Sequence, residues 1–149
     1  MECERVGMHK NYLEENYLEN IYMLSLEKEK VKHKDIMEKM KRAKSVVTKA
    51  IHILVEKRYL TYGEDKIVRL TDEGLHIAEK VYQKHVYLKE LLLKVGIDTD
   101  TAEKEACDIE HVLSDDSFEK LKKYIEKLKT NGYNVYKHYN IEGYPFDIE

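Results

Sequence analysis

A mainly α-helical fold is predicted by three features of this 149-residue sequence. The chain contains one proline and six glycines, so it has few residues that would end a helix. Apolar residues recur at helical spacing in several separate segments. One pair of short β-prone runs surrounds a polar, glycine-containing turn, which predicts a single hairpin.

Three helices are predicted before the hairpin. The first extends from about Asn11 to Leu26, and the second, a short one, from about Lys34 to Met40. After a tight connection at residues 42–44, the third extends from Ser45 to about Arg58. The apolar stripe of the first helix consists of Leu13, Tyr17, Ile21 and Leu24.

The hairpin, residues 59–62 and 67–70, is followed by three predicted helices. Thr71 is expected to cap a long helix that ends near Gly96. Residues 98–100 begin a helix that ends near Leu113, and residues 114–116 begin the last one. We therefore divide the chain into a first domain of residues 1–72, a second of residues 73–130, and an aromatic tail of residues 131–149 whose order the sequence leaves open.

Positive charge is concentrated in the first half of the chain. Between Lys28 and Arg58 there are eleven Lys and Arg against four Asp and Glu, a local net charge of +7, whereas the remainder carries −10. Such a block can release counterions from DNA, although a solvated charged face explains the charge alone equally well.

The order of the predicted elements is that of a winged helix-turn-helix: a short helix, a tight turn, a second helix and a hairpin.

The third predicted helix has the two faces that a recognition helix needs. Its buried stripe is Val47, Ala50, Ile51 and Leu54, and its opposite face presents Ser45, Thr48, Lys49 and His52. Small polar and basic groups can reach base edges, while Lys44 at the helix N-terminus is placed for a phosphate. Lys66 and Arg69 in the hairpin are expected to contact the flanking backbone. An ordinary amphipathic helix also explains the four outer residues, but the basic block and the hairpin favour DNA binding.

A metal-ligand pattern lies in the helix predicted after Asp98. Cys107, Glu110 and His111 stand at i, i+3 and i+4, so their side chains converge, and Glu103 lies one turn earlier on the same face. A thiolate, a carboxylate and an imidazole together can bind a divalent cation, although this spacing alone is more often structural or accidental. His85 falls on the inward stripe of the long helix, where a lone histidine is more often a satisfied core residue than a ligand. Glu19 lies near the inner stripe of the first helix, where a surface acid is the simpler interpretation. A buried His, a buried Cys-x-x-Glu-His run and a nearby Glu are nevertheless hard to accommodate together without a cation that neutralises them, which strengthens the metal hypothesis.

These segments together resemble the diphtheria-toxin-repressor and manganese-transport-regulator family. The resemblance covers about residues 12–128, and it rests on residues 16–22, the winged unit from Asp35 to Thr71, His85, and residues 106–114. It implies a homodimeric repressor that binds double-stranded operator DNA when it is loaded with Fe(II) or Mn(II), with a helical metal-binding and dimerisation domain after the winged unit.

The resemblance also implies a set of ligands. Cys107, Glu110 and His111 match a ligand cluster on one helix, while His85 and Glu19 match ligands from two others. Asn16 falls where manganese-type members have aspartate, and its amide oxygen ligates more weakly. Lys89 stands where iron-type members place a ligand of a second, ancillary site, which implies that this site is altered, with Glu103 as a substitute ligand.

Cys107 bears on the choice of metal, because thiolate favours Fe(II), Co(II), Ni(II) or Zn(II) over the harder Mn(II). We therefore expect Fe(II) first and Mn(II) next, with Zn(II), Co(II) or Ni(II) able to bind in vitro. Cys3 and Cys107 form no disulfide framework, and the apolar runs are too short to span a bilayer. We expect a cytoplasmic protein without membrane association or a small organic substrate.

Three other functions compete with this hypothesis. A metal-free winged-helix regulator would sense an organic ligand or an oxidant through Cys107. An enzyme would use Cys107 and His111 as nucleophile and base, but the sequence offers no glycine-rich oxyanion loop, and we do not expect catalysis. An interaction protein would bind a partner through the tyrosine-rich tail, which leaves the basic block and the hairpin unexplained.

Overall fold

The computed structural model describes residues 12–131, and the elements below are those of this range. The helices are α1 (Tyr12–Glu27), α2 (His33–Met40), α3 (Lys44–Glu56), α4 (Asp72–Lys94), α5 (Thr99–Val112) and α6 (Asp115–Thr130). The strands are β1 (Val31–Lys32), β2 (Leu60–Tyr62) and β3 (Ile67–Leu70). Cys3, Asn11 and the predicted tail beyond Asn131 lie outside the described residues.

The chain divides into two compact units, an N-terminal one up to Gln83 and a C-terminal one from Lys84. The N-terminal unit contains α1 to α3, the three strands and the first half of α4, and the C-terminal unit contains the second half of α4 with α5 and α6. Within residues 12–131, no helix combines the length and the apolar character needed to cross a membrane.

A small antiparallel sheet completes the N-terminal unit. The predicted hairpin of β2 and β3 is confirmed, with Leu60 paired with Leu70. On the other side of β3 lies β1, with Val31 paired with Val68. The sequence did not predict β1, because a strand of two residues is too short to show an alternating pattern.

The core of the N-terminal unit is formed by apolar side chains from its helices and its sheet. Its buried members are Tyr17, Leu18, Ile21, Leu24, Val31, Ile36, Val47, Ile51, Leu54, Leu60, Val68 and Ala78. The predicted stripe of α3 is buried as expected, with Ala50 only partly so. The prediction is wrong for Leu13, which is 57% exposed, because it lies in the first turn of α1 and at the edge of a stripe centred nearer Leu18.

The helix ends follow local hydrogen bonds. The predicted cap at Thr71 is confirmed, because its Oγ1 accepts the Gly74 N–H at 3.1 Å. At the predicted starts of the next two helices, Asp98 Oδ1 accepts the Thr101 N–H at 3.0 Å, and Ser114 Oγ accepts the Ser117 N–H at 3.1 Å. α3 ends at Glu56, two residues before the predicted Arg58. Arg58 adopts a left-handed conformation, with φ of 63°, which turns the chain towards β2.

The C-terminal unit has its own smaller core, in which Leu88, Ala106 and Phe118 are buried. The Tyr87 ring meets Phe118 edge to face, with centroids 5.5 Å apart. Lys84, also buried, donates to the Leu113 carbonyl oxygen at 3.1 Å and lies 2.6 Å from Asp115 Oδ1. Lys84 therefore ties α4 to the junction between α5 and α6, which fixes the position of the end of α5.

Candidate metal centre and DNA-reading surface

The last turn of α5 brings three potential metal ligands together. One ligand atom each from Cys107, Glu110 and His111 lies within 4.8 Å of the others, as the i, i+3 and i+4 spacing predicts. Glu110 is 0% exposed and His111 is 4% exposed, whereas Cys107 is half-buried. Two ionisable side chains therefore lie deep in the C-terminal unit, beside the thiol of Cys107.

His85 on α4 joins this cluster from the neighbouring helix. Its Nδ1 lies 2.8 Å from Glu110 Oε2, while the other carboxylate oxygen of Glu110, Oε1, lies 3.2 Å from His111 Nε2. His85 is buried, as its position on the inward stripe of α4 predicts. Glu110 is thus placed between two imidazoles that come from two different helices.

Glu103 lies at the edge of the cluster. Its Oε1 is 2.9 Å from His85 Nε2, and its Oε2 is 2.6 Å from Lys89 Nζ. Burial raises the pKa of the Glu103 carboxyl, but the hydrogen bond from Lys89 and the charge of His85 outweigh burial and leave the pKa below its ordinary value. Glu103 is therefore held as a carboxylate by two nitrogen groups of α4.

Two further predicted ligands, Glu19 and Asn16, lie on α1 in the N-terminal unit. Glu19 is buried, in contrast to a typical surface acid. Asn16 is half-buried, and its Oδ1 accepts a hydrogen bond from Asn20 Nδ2 at 3.0 Å. The roles of both residues as ligands stay predictions.

The donor set of the C-terminal unit fits a divalent transition metal. Bonds from such a cation to S, N and O ligands measure about 2.0–2.3 Å, so donors that share it lie up to about 4.6 Å apart. The ligand atoms of Cys107, Glu110 and His111 meet this requirement with at most a small rotation of the side chains. A thiol, a carboxylate and an imidazole also offer the mixture of soft and hard donors that binds Fe(II), Co(II) or Zn(II).

The outer face of α3 forms an open groove. Ser45, Lys49 and His52 are exposed on it, and Lys44 begins the helix. Thr48 is more restricted, because its Oγ1 donates to the Lys44 carbonyl oxygen at 2.8 Å and lies 2.7 Å from His33 Nε2. Four of the five residues predicted on this helix are therefore accessible, and Thr48 is partly held by its neighbours.

A second concave surface lies between α2, α3 and the hairpin, and its lining is strongly basic. It includes Lys32, His33, Lys34, Lys44, His52 and Lys66. The sequence did not single out the first three, and the only signal for them was the excess of positive charge between Lys28 and Arg58. Burial and the nearby Lys44 lower the pKa of His33, so its ring is neutral at pH 7.

The two predicted basic residues of the hairpin differ in their surroundings. Lys66 lines the basic surface and has a positive φ of 59°. Arg69 pairs with Asp65 within the hairpin, with Nη1 2.8 Å from Oδ2. Arg69 therefore stabilises the turn of the hairpin through this ion pair, while Lys66 extends the positive surface of α2 and α3.

Comparison with known families accounts for nearly all the described residues. Residues 13–68 match the N-terminal DNA binding domain of the iron dependent repressors, and residues 71–134 match their metal binding and dimerisation domain. The chain belongs to the iron-dependent repressor family. It is a metal-dependent, DNA-binding regulator of transcription, and the predicted resemblance, fold class and function are confirmed.

Relatives of this chain include an uncharacterised HTH-type transcriptional regulator of Methanocaldococcus jannaschii. It is 35% identical to this chain over 117 residues, which are 77% of this chain and 94% of the relative. The HTH-type transcriptional regulator MntR of Bacillus subtilis is 33% identical over 107 residues, which are 72% of this chain and 75% of MntR.

Solved structures of repressors with the same fold are also similar. The manganese regulator SloR has a TM-score of 0.64 and 29% identity, over 80% of this chain and 54% of SloR. IdeR of T. acidophilum has a TM-score of 0.63 and 25% identity, over 80% of this chain and 54% of IdeR. This chain thus spans about half the length of these two regulators.

Proposed function

We propose that this chain acts as a homodimeric repressor that binds operator DNA when its α5 cluster holds a divalent metal ion, Fe(II) in preference to Mn(II). The observation that carries the proposal is the convergence of Cys107, Glu110 and His111 in the last turn of α5. The family descriptions support both parts of the proposal, the DNA binding and the metal-binding dimer, because one matched domain is described as binding DNA and the other as binding metal and dimerising.

The proposed ligands are Cys107, Glu110 and His111, together with His85, which lies beside Glu110. The cation would supply the positive charge that balances the Cys107 thiolate and the buried Glu110 carboxylate in this cluster. Glu19 is proposed as a further ligand on the basis of the family resemblance. Its burial on α1 supports this proposal, because an acid without such a role would normally be exposed to solvent. Asn16 is proposed as a weak ligand at most, because an amide oxygen carries no charge.

The preference for Fe(II) rests on Cys107. A thiolate is a softer donor than the carboxylate or carbonyl groups that suit Mn(II), so it raises the affinity for Fe(II), Co(II) and Zn(II) more than that for Mn(II). Likeness to relatives does not decide the metal, because a manganese regulator and IdeR match this chain about equally well.

The proposed DNA-binding residues are Lys44, Ser45, Thr48, Lys49 and His52 on α3, with Lys66 and Arg69 in the hairpin. Their support is the accessible polar face of α3 and the basic surface beside it. Base edges in a major groove are read by side chains of a helix, and lysines contribute phosphate contacts that depend on salt. Lys32, His33 and Lys34 are added to the proposal because they line the same basic surface.

The test combines a site variant with DNA selected from a random duplex library under anaerobic conditions. In wild type, Mn(II) or Fe(II) is expected to enrich specific sequences that are not enriched without metal. His111→Ala is expected to lose this metal-dependent enrichment while its dimer, measured by sedimentation, stays intact. His76→Ala, an exposed histidine on α4, is the matched control and keeps wild-type behaviour.

Two results would contradict the proposal. One is enrichment by wild type that is equal with and without metal, which would leave a DNA-binding protein without a metal switch. The other is a His111→Ala protein that still requires metal for DNA binding, which would place the site elsewhere.

A further inference from the structure

The Glu103 carboxylate and the Glu110 carboxylate contact opposite nitrogens of the His85 ring. Oε1 of Glu103 lies 2.9 Å from Nε2, whereas Oε2 of Glu110 lies 2.8 Å from Nδ1. A carboxylate can only accept a hydrogen bond, so each of the two carboxylates favours a proton on the ring nitrogen that it faces. A cation held by the α5 cluster would engage Glu110 and the Nδ1 lone pair, so that the ring proton would be on Nε2 with Glu103 as its acceptor.

Lys89 engages the other oxygen of Glu103. It lies one turn after His85 on α4, and its Nζ is 2.6 Å from Glu103 Oε2. Both carboxylate oxygens of Glu103 therefore face nitrogen groups, and the Lys89 ammonium opposes the approach of a cation to this carboxylate. Glu103 is also 48% exposed, whereas Glu110 is fully buried, so Glu103 belongs to the periphery of the cluster.

We infer that Glu103, held in place by Lys89, is a positioning residue that orients the His85 ring with Nδ1 towards the α5 cluster, and that Glu103 is not itself a metal ligand. This inference rests on the proposed metal site and adds a residue that acts through His85. Residues that accept the second N–H of a ligating histidine change metal affinity by about 10–100-fold when they are replaced.

The test uses Co(II) as the probe, because its absorption reports thiolate ligation by Cys107 without any DNA. Co(II) is titrated anaerobically, against a competing chelator, into full-length wild type, Glu103→Ala and Glu103→Gln. Glu105→Ala serves as the matched control, since Glu105 is an exposed acid on the same helix. Thermal melting by circular dichroism checks that each variant is folded.

Glu103→Ala is expected to weaken Co(II) binding by about 10–100-fold. Glu103→Gln keeps most of the affinity, because its amide oxygen can still accept the Nε2 proton, and Glu105→Ala is unchanged. At saturation all the proteins show the same Co(II) spectrum, since the ligands are the same. In the Zn(II)-loaded protein, ¹H–¹⁵N correlation spectra show His85 protonated at Nε2.

Unchanged affinity in Glu103→Ala would overturn the inference, and so would a proton on Nδ1 of His85 in the Zn(II) protein. A saturated spectrum that differs between wild type and Glu103→Ala would instead make Glu103 a ligand, which also overturns it. If wild type itself shows no Co(II)–thiolate absorption, the proposed metal site fails and the inference fails with it. That outcome is read from wild type alone and is distinct from the comparison among variants.

Discussion

Glu110 is the residue whose environment is hardest to explain without a functional role. Its side chain is fully buried, and its two oxygens face imidazoles on α4 and α5. A buried carboxylate costs several kcal/mol unless charges and hydrogen bonds compensate for it. An apolar side chain would stabilise the same position more simply, so the presence of Glu110 favours a site that binds a charged partner.

Cys107 is predicted to set the metal preference. Replacing Cys107 with Asp exchanges a soft donor for a hard one, so the ratio of Fe(II) to Mn(II) affinity is expected to fall. A fall of about tenfold, equivalent to about 1.4 kcal/mol, is expected from anaerobic competition titrations of both metals. Cys107→Ala, which removes the donor altogether, is the control and weakens both metals. A ratio that rises or stays constant in Cys107→Asp would show that Cys107 does not determine the choice.

Asp35 is predicted to stabilise the N-terminal unit in a way that depends on pH. The hydrogen bonds from Lys28 Nζ, at 2.7 Å, and from the Lys32 backbone N–H, at 2.8 Å, hold the pKa of the Asp35 carboxyl below its ordinary value, despite its burial. Because the folded pKa is lowered, the stabilisation is fully present above the ordinary value and is lost as the pH falls through the lowered one.

Asp35→Asn is therefore expected to lower the free energy of unfolding by about 1–2 kcal/mol at pH 7. Urea unfolding followed by circular dichroism measures the loss, which shrinks towards zero as the pH falls below about 4. Glu38→Gln, an exposed acid on the same helix, is the control and has little effect. A deficit in Asp35→Asn that is independent of pH would mean that the charge of Asp35 does not contribute.

At the scale of elements, the start of α4 depends on a close approach between backbones. A Cβ built on Gly74 would lie 2.0 Å from the Tyr59 carbonyl oxygen, far inside van der Waals contact. The same glycine donates its N–H to Thr71 Oγ1, which caps the helix, and Thr71 donates in turn to the Arg58 carbonyl oxygen at 2.6 Å. The end of α3 and the start of α4 thus meet at a point where Gly74 leaves no room for a Cβ.

Gly74→Ala is expected to destabilise the N-terminal unit by about 1–3 kcal/mol, because the clash with Tyr59 involves backbone that cannot rotate away. This exceeds the gain of about 1 kcal/mol that alanine normally brings to a helix interior. Gly63→Ala is the matched control: its added Cβ would meet Asp65 Oδ1 at 3.7 Å, which is ordinary contact. Equal melting temperatures for the two variants would contradict the close approach.

Patterns that are local in sequence could be predicted, and those set by tertiary packing could not. Two kinds of feature depend only on neighbours within four residues and could therefore be predicted from the sequence. They are the helix starts at Thr71, Asp98 and Ser114 and the convergence of the α5 cluster. The strand β1 exists only because β3 lies beside it. The pairing of Glu103 with His85 and Lys89 depends on how α4 packs against α5, and helical spacing alone does not reveal it.

At the scale of the whole molecule, metal and DNA are proposed to bind in different domains of one chain. A homodimer presents two α3 helices, and helix-turn-helix dimers read half-sites whose centres are ~34–36 Å apart. We propose that, when the ligand side chains of both protomers hold metal, the distance between the two α3 helices varies less and stays closer to this value. DNA binding would then tighten because unsuitable arrangements become rare, without a contact between the metal site and DNA.

Reciprocity between the two ligands tests this coupling most directly. With the DNA sequence recovered by selection, anaerobic titrations give the factor by which Mn(II) tightens DNA binding and the factor by which the same DNA tightens Mn(II) binding. Linkage requires the two factors to be equal, and the coupling of 1–3 kcal/mol that is typical of allosteric proteins predicts values of about 5–150-fold. Factors of one in both directions, with metal and DNA each still bound, would contradict a metal-dependent repressor.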